Sequence, residues 1–357
     1  LTKAKWATPW REVVRLKDEL KTGELTLAQF AADLHEVAQG AGTRPVYEDP
    51  AKFFALTFPT HALRELVKDV AHRLDGQSDK AVRQLELTYG GGKTHTLITL
   101  HHLFLDPAAL PDLPAVREFR EAVGRDLPRA FVASLCFDKI DVERGIEDVL
   151  GPGGERRTLR HPWSVLAFQL GGDDGLRAIH GDEKAEERDT PPAEPLLAKL
   201  IARPQAEGRA TLILVDEVLM YARQKAGMSA TWRSRIQDFF QYLVQAVSRV
   251  DRAALVASLL ATDPTKQSDA EGKLLMGDLS NVFRRQKEEG VQPVAKEDVA
   301  EVLRRRFFVP EDLANRDAYR HHVIAAVRDL GRLDERMKKN AKAEEERFHD
   351  SYPFHPD

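Results

Sequence analysis

Residues 82–95 read VRQLELTYGGGKTH: a short strand-like run, three consecutive glycines, then Lys93, Thr94 and His95. Val82–Tyr89 predicts a strand. Leu97, Leu100 and Phe104 mark the apolar side of the helix that follows. Glycines at a strand-to-helix turn let the backbone curl until several N–H groups point at one anion, and the helix adds the positive end of its dipole. In that setting Gly90, Gly91 and Gly92 cradle phosphate. Lys93 brings a full charge to the β- and γ-phosphates of ATP, and Thr94 places a hydroxyl on Mg2+. His95 is read either as a phosphate contact or as a packing residue. Leu87 stands where the usual G-x-x-x-x-G-K-[ST] pattern has its first glycine, while the G-G-K-T core is intact.

The second informative stretch is TLILVDE at 211–217. A continuous apolar strand of this kind is buried on both faces of a parallel sheet. It delivers its last two carboxylates to the sheet edge where ligands bind in open α/β folds. Asp216 is the candidate Mg2+ ligand, through water, and Glu217 the group that orients and deprotonates an attacking water. A second carboxylate directly after the first suits a nucleotide hydrolase better than a small-molecule kinase. LVASLLATDP at 255–264 predicts the neighbouring strand, with Thr262 or Asp263 facing the γ-phosphate or the water.

Arg284-Arg285 and Arg304-Arg305-Arg306 are candidates for stabilising transition-state charge, Arg285 foremost. An arginine acting in trans would require a homo-oligomer. Arg156, Arg157 and Arg160 are weighed as a nucleic-acid contact, against the plainer reading of a charged surface.

Outward from these motifs the chain divides into three parts. An N-terminal helical region covers 1–80, with Leu63, Leu66, Val67, Val70 and Leu74 on one helical face and Asp49-Pro50 opening a helix. An α/β core covers 81–265, with an insertion around 151–195 whose charged stretch 181–195 is read as mobile. A C-terminal helical lid with a charged tail covers 266–357. Alternating strands and helices indicate a parallel sheet between helices, so the expected fold is α/β with a P-loop NTPase core.

Composition narrows the alternatives. The 357 residues are 42% hydrophobic, enough for a packed core. With 53 Lys+Arg against 57 Asp+Glu the net charge is −4, which argues against a histone-like coat of DNA or a polybasic membrane anchor. A single cysteine, Cys136, excludes an intramolecular disulfide and a multi-cysteine zinc site, and fits a cytoplasmic protein. No run approaches the ~20 apolar residues of a membrane span. Leucine at position 1 fits either a fragment or a non-standard start codon, and the ending SYPFHPD reads as cut from something longer.

GGGKTH at 90–95 and LILVDEVLMYARQ at 212–224, with FFALTFPTHALREL at 53–66, RTLRHPWSVLAFQLGG at 157–172 and EVLRRRFF at 301–308, resemble the AAA+-type P-loop ATPases of family 499 of the domains of unknown function, a prokaryotic family linked to anti-phage defence. The resemblance implies the N-terminal ATPase portion of a longer protein, ATP and Mg2+ at Lys93, Thr94, Asp216 and Glu217, and DNA methyltransferases or helicases as partners. It leaves direct DNA binding open. The expected activity is ATP hydrolysis that drives a motor or remodeller. The competing expectation is a nucleotide-gated switch or assembly scaffold with little turnover.

Overall fold

The computed structural model describes residues 10–21, 32–86, 92–259, 277–283, 290–295 and 298–354. The chain forms two compact units: Ala32–Lys52 with Pro59–Val294, and Leu1–Ala31 with Phe53–Phe58 and Ala295–Asp357.

The larger unit opens with α1 (Leu34–Gln39), started by the Asp33 carboxylate accepting from Glu36 N and ended by Gly40 in the left-handed region. Helix α2 (His61–Leu74) is capped by Thr60 and buries the apolar stripe expected from its spacing. Strand β1 (Val82–Leu85) leads to α3 (Lys93–Leu105). Then come α4 (Pro114–Val123), β2 (Ala130–Cys136), a hairpin of β3 (Ile146–Leu150) and β4 (Arg156–Leu159), α5 (Pro162–His180) and α6 (Glu194–Ala202). The unit continues with β5 (Ala210–Asp216), α7 (Val218–Met228), α8 (Ala230–Arg249) and β6 (Ala253–Ser258).

Four strands form one parallel sheet in the order β1-β6-β5-β2, flanked by helices. This is a mixed α/β arrangement compatible with a Rossmann-like or P-loop-like core. Every residue of β5 and β6 is buried, as a sheet covered on both faces requires. Ala133, Leu135, Ile213, Val215, Leu255 and Ala257 pack against α5–α8 around Trp163, Phe239 and Phe240. The alternate positions face α2 and α3.

Both sheet edges are covered. Beyond β1, Val291 exchanges two backbone hydrogen bonds in parallel register, donating to Gln84 O at 2.8 Å and accepting from Glu86 N at 2.9 Å. Beyond β2, the Gln169 side-chain amide imitates a strand: it accepts from Ser134 N at 2.8 Å and donates to Ser134 O at 2.9 Å.

The stretch 181–195, expected to be mobile, is hydrogen-bonded to the start of α5. The Glu187 carboxylate accepts from Arg160 N and His161 N at the start of α5, and Trp163 Nε1 donates to Arg188 O. Helix α5 is broken at Gly171 and Gly172, neither of which has helical backbone angles, with Gly172 at φ 58°.

The second unit packs Val14, Phe308, Leu313, Tyr319, Val323, Val327 and Phe348 into its own core. It includes α9 (Val299–Phe307), α10 (Arg316–Leu330) and α11 (Ala341–Ser351). Arg15 grips Asp312 through two side-chain bonds of 2.8 and 2.9 Å. Among the described residues no helix is long and apolar enough to cross a membrane.

Two stability measurements follow from these contacts. Gln169→Ala leaves the Ser134 N–H and C=O without their partner and is expected to cost about 1–3 kcal/mol in urea unfolding; an unchanged midpoint would show that the edge needs no cover. On α3, burial holds the imidazole of His101 down at a pKa of about 3. Below the unfolded value of ~6.5 the unfolded chain takes up a proton that the native chain refuses, so stability is full above that pH and falls toward pH 3, by at most about 1.4 kcal/mol per pH unit. His101→Leu is expected to flatten that slope, as followed by melting temperature between pH 7 and 5.

Candidate functional site

The site is built at the C-terminal edge of the sheet, where β5 ends and α3 begins. In register across that edge stand Cys136, Asp216 and the residue beside it on β6, Ser258, since Cys136 pairs with Asp216 and Val215 with Ala257. Val215 and Ala257 point into the α5–α8 core, so Asp216 and Ser258 point the other way, toward α3. Thr94, on the first turn of α3, closes the gap: its Oγ1 donates to Asp216 Oδ2 at 2.9 Å. The two motifs, 122 residues apart, therefore meet.

Gly92 precedes α3 in ordinary right-handed backbone geometry, so conformational freedom is not why it is glycine. A Cβ there would come within 2.8 Å of Val294 Cγ2. Close approach of a neighbouring segment dictates the residue. No side chain caps this helix end, which leaves its leading N–H groups turned outward.

Lys93 and Asp216 are both buried, at 8% and 4% exposure. Lys93 Nζ and Asp216 Oδ1 have no hydrogen-bond partner. Burial pushes the Lys93 ammonium pKa down, opposed by the Asp216 and Glu217 charges. Burial pushes Asp216 up, opposed by the Thr94 and Ser258 hydroxyls and by Lys93. Glu217 is half-buried and raised as well, first by burial, then by the charges of Asp216 and Asp138.

Glu217 caps α7 with φ 56° and ψ 41°, a left-handed conformation that an L-residue with a long side chain adopts at a cost. The backbone is thus bent at the residue whose carboxylate the sequence singles out. Asp138 lies in the turn Phe137–Lys139 after β2, and Lys139 binds both Asp33 and Asp138 at 2.7 and 3.2 Å.

Among the other sequence candidates, His95 packs edge-on against Tyr47 at 6.2 Å. Gly90, Gly91, Thr262, Asp263, Arg284 and Arg285 lie outside the described residues. Arg304 belongs to the second unit, where it is buried and donates to Asp350 O and Tyr319 Oη. Arg305 there pairs with Glu301. Arg157 pairs with Asp173 and Arg160 with Glu187, and Arg156 donates to Gln39 and Asp148 O, so this trio is engaged within the unit.

Sequence reasoning missed Ser258 and Asp138. Neither belongs to a motif, and only strand register brings them to the site. A separate cleft of about 490 Å3 beside β1 is lined by His61, Glu65, Asp69, Lys80 and Arg83, and its Lys80 and Arg83 both pair with Asp69.

The arrangement offers a buried cation, a helix N-terminus, and a hydroxyl–carboxylate pair of the oxygen type that hard cations take. No cluster of three or more His, Cys, Asp or Glu residues that could hold a metal occurs among the described residues. A cation held by Thr94 and Asp216 would therefore need further oxygens from water or a bound anion, the manner in which Mg2+ is commonly held.

If Glu217 is held against its backbone preference, Glu217→Gly should raise unfolding stability by about 1 kcal/mol despite loss of the carboxylate. A variant less stable than wild type would mean that the left-handed turn carries no strain.

No curated protein and no solved structure matches the chain. A family model described as the DUF499 N-terminal domain matches residues 12–285. On that match over most of its length, the chain belongs to the DUF499 family.

Proposed function

We propose that this chain binds ATP with Mg2+ and hydrolyses its terminal phosphoanhydride bond with water. The observation that carries the reading is the buried, unbonded Lys93 ammonium set beside Asp216, to which Thr94 is hydrogen-bonded. A buried charge left without a hydrogen bond is costly, and an anion at the start of α3 would relieve it.

Lys93 would neutralise the phosphates, and the leading N–H groups of α3 would orient them. Thr94 and Asp216 would hold Mg2+; the remaining lone pairs of the hydroxyl and of the carboxylate suit that ion. The ion, when bound, would draw charge from the β- and γ-phosphate oxygens. Glu217 would orient the water and accept its proton, and its raised pKa makes it a better base than an exposed glutamate.

Family likeness extends this to a motor or remodeller in prokaryotic anti-phage defence. A nucleotide-gated switch with little turnover would use the same phosphate site without needing a base, and Glu217 beside Asp216 favours turnover.

Lys93→Ala is expected to weaken ATP binding about 10- to 100-fold in calorimetry. Glu217→Gln should keep that binding and lower phosphate release about 100-fold or more. Undiminished ATP affinity in the first variant would remove the phosphate site from Lys93. Normal turnover in the second would hand the base role to another group.

A further inference from the structure

Ser258 is the last residue of β6, the strand placed between β1 and β5, and it is fully buried. Register sets it directly beside Asp216, on the same face of the sheet. Neighbouring strands lie about 4.8 Å apart, so the two side chains are within reach of each other. Ser258 Oγ and Asp216 Oδ1 are both buried, and neither makes a hydrogen bond of good geometry. Two such atoms side by side are unusual, because buried polar groups are almost always paired. An alanine would fit this strand without that burden.

The other carboxylate oxygen, Oδ2, is already taken by Thr94. On the opposite side in register stands Cys136, whose thiol burial keeps protonated and which is a poor donor. A small rotation of the Ser258 hydroxyl supplies what Oδ1 lacks.

We infer that Ser258 is a positioning residue: its hydroxyl donates to Asp216 Oδ1 and, with Thr94 on Oδ2, fixes the plane of the carboxylate that receives the divalent cation. This rests on the Mg2+–ATP reading above and adds to it a residue that acts on the metal only through Asp216. The motif residues do not predict it, since the sequence points to Thr262 and Asp263 further along and Ser258 itself ends the strand.

Groups that orient a metal ligand without touching the metal typically contribute 10- to 100-fold in affinity. The test uses the whole chain with a non-hydrolysable ATP analogue and Mn2+, whose binding is read by electron paramagnetic resonance. Ser258→Ala is expected to weaken nucleotide-dependent Mn2+ binding about ten-fold or more, while metal-free affinity for the analogue, read by calorimetry, stays at the wild-type value. Ser258→Thr, which keeps the hydroxyl, should stay near wild type, and Ser258→Cys, with a weaker donor in a similar volume, should fall between.

Wild-type Mn2+ affinity in Ser258→Ala would overturn the inference and leave the ATPase reading standing. Equal losses with and without metal would overturn it too, as general damage to the site. A wild-type chain that takes up no nucleotide-dependent Mn2+ would instead remove the reading on which the inference rests.

Discussion

Two opposite charges are buried at one edge of the sheet, and the Lys93 ammonium has no hydrogen-bond partner there. Removing an ion from water costs several kcal/mol unless its partners replace the lost hydration. Here replacement is partial: Thr94 serves one oxygen of Asp216, and the pKa of each of the two charges moves toward the neutral form. A fold optimised for stability alone would fill this edge with apolar side chains. Retaining the charges makes sense if something charged completes the set, and an anion facing Lys93 with a cation facing Asp216 does so.

The rest of the larger unit holds those groups in place. The parallel order β1-β6-β5-β2 sets β6 between the strand that precedes Lys93 in the chain and the strand that ends in Asp216. The close approach of Val294 to Gly92 holds the start of α3, and the Val291 bridge on β1 anchors the same segment. Gln169 closes the far edge at β2, so the sheet ends in a side chain instead of an open ladder. At the centre, Glu217 opens α7 in a left-handed conformation directly after Asp216 ends β5.

Much of this was legible from residue order. The apolar stripe from Leu63 to Leu74 is the buried face of α2, and Ile236, Phe239, Phe240, Leu243 and Val247 are buried on α8. TLILVD is a fully buried strand that ends in Asp216 at the C-terminal edge of the sheet. What stayed hidden was either polar or non-local. The hairpin β3–β4 carries Glu147, Asp148, Arg156 and Arg157, which mask any strand pattern. Ser258 looks like strand filler in AALVAS, because its neighbour Asp216 lies on a different strand and periodicity says nothing of which strands adjoin.

The central claim is that Lys93 and Asp216 share one nucleotide–metal pocket. A crystal structure of the chain with a non-hydrolysable ATP analogue and Mn2+, using the anomalous signal of the metal, tests it most directly. The account predicts the metal peak between Thr94 and Asp216, with the terminal phosphate against Lys93. A nucleotide bound elsewhere, or a metal peak distant from both residues, would contradict it.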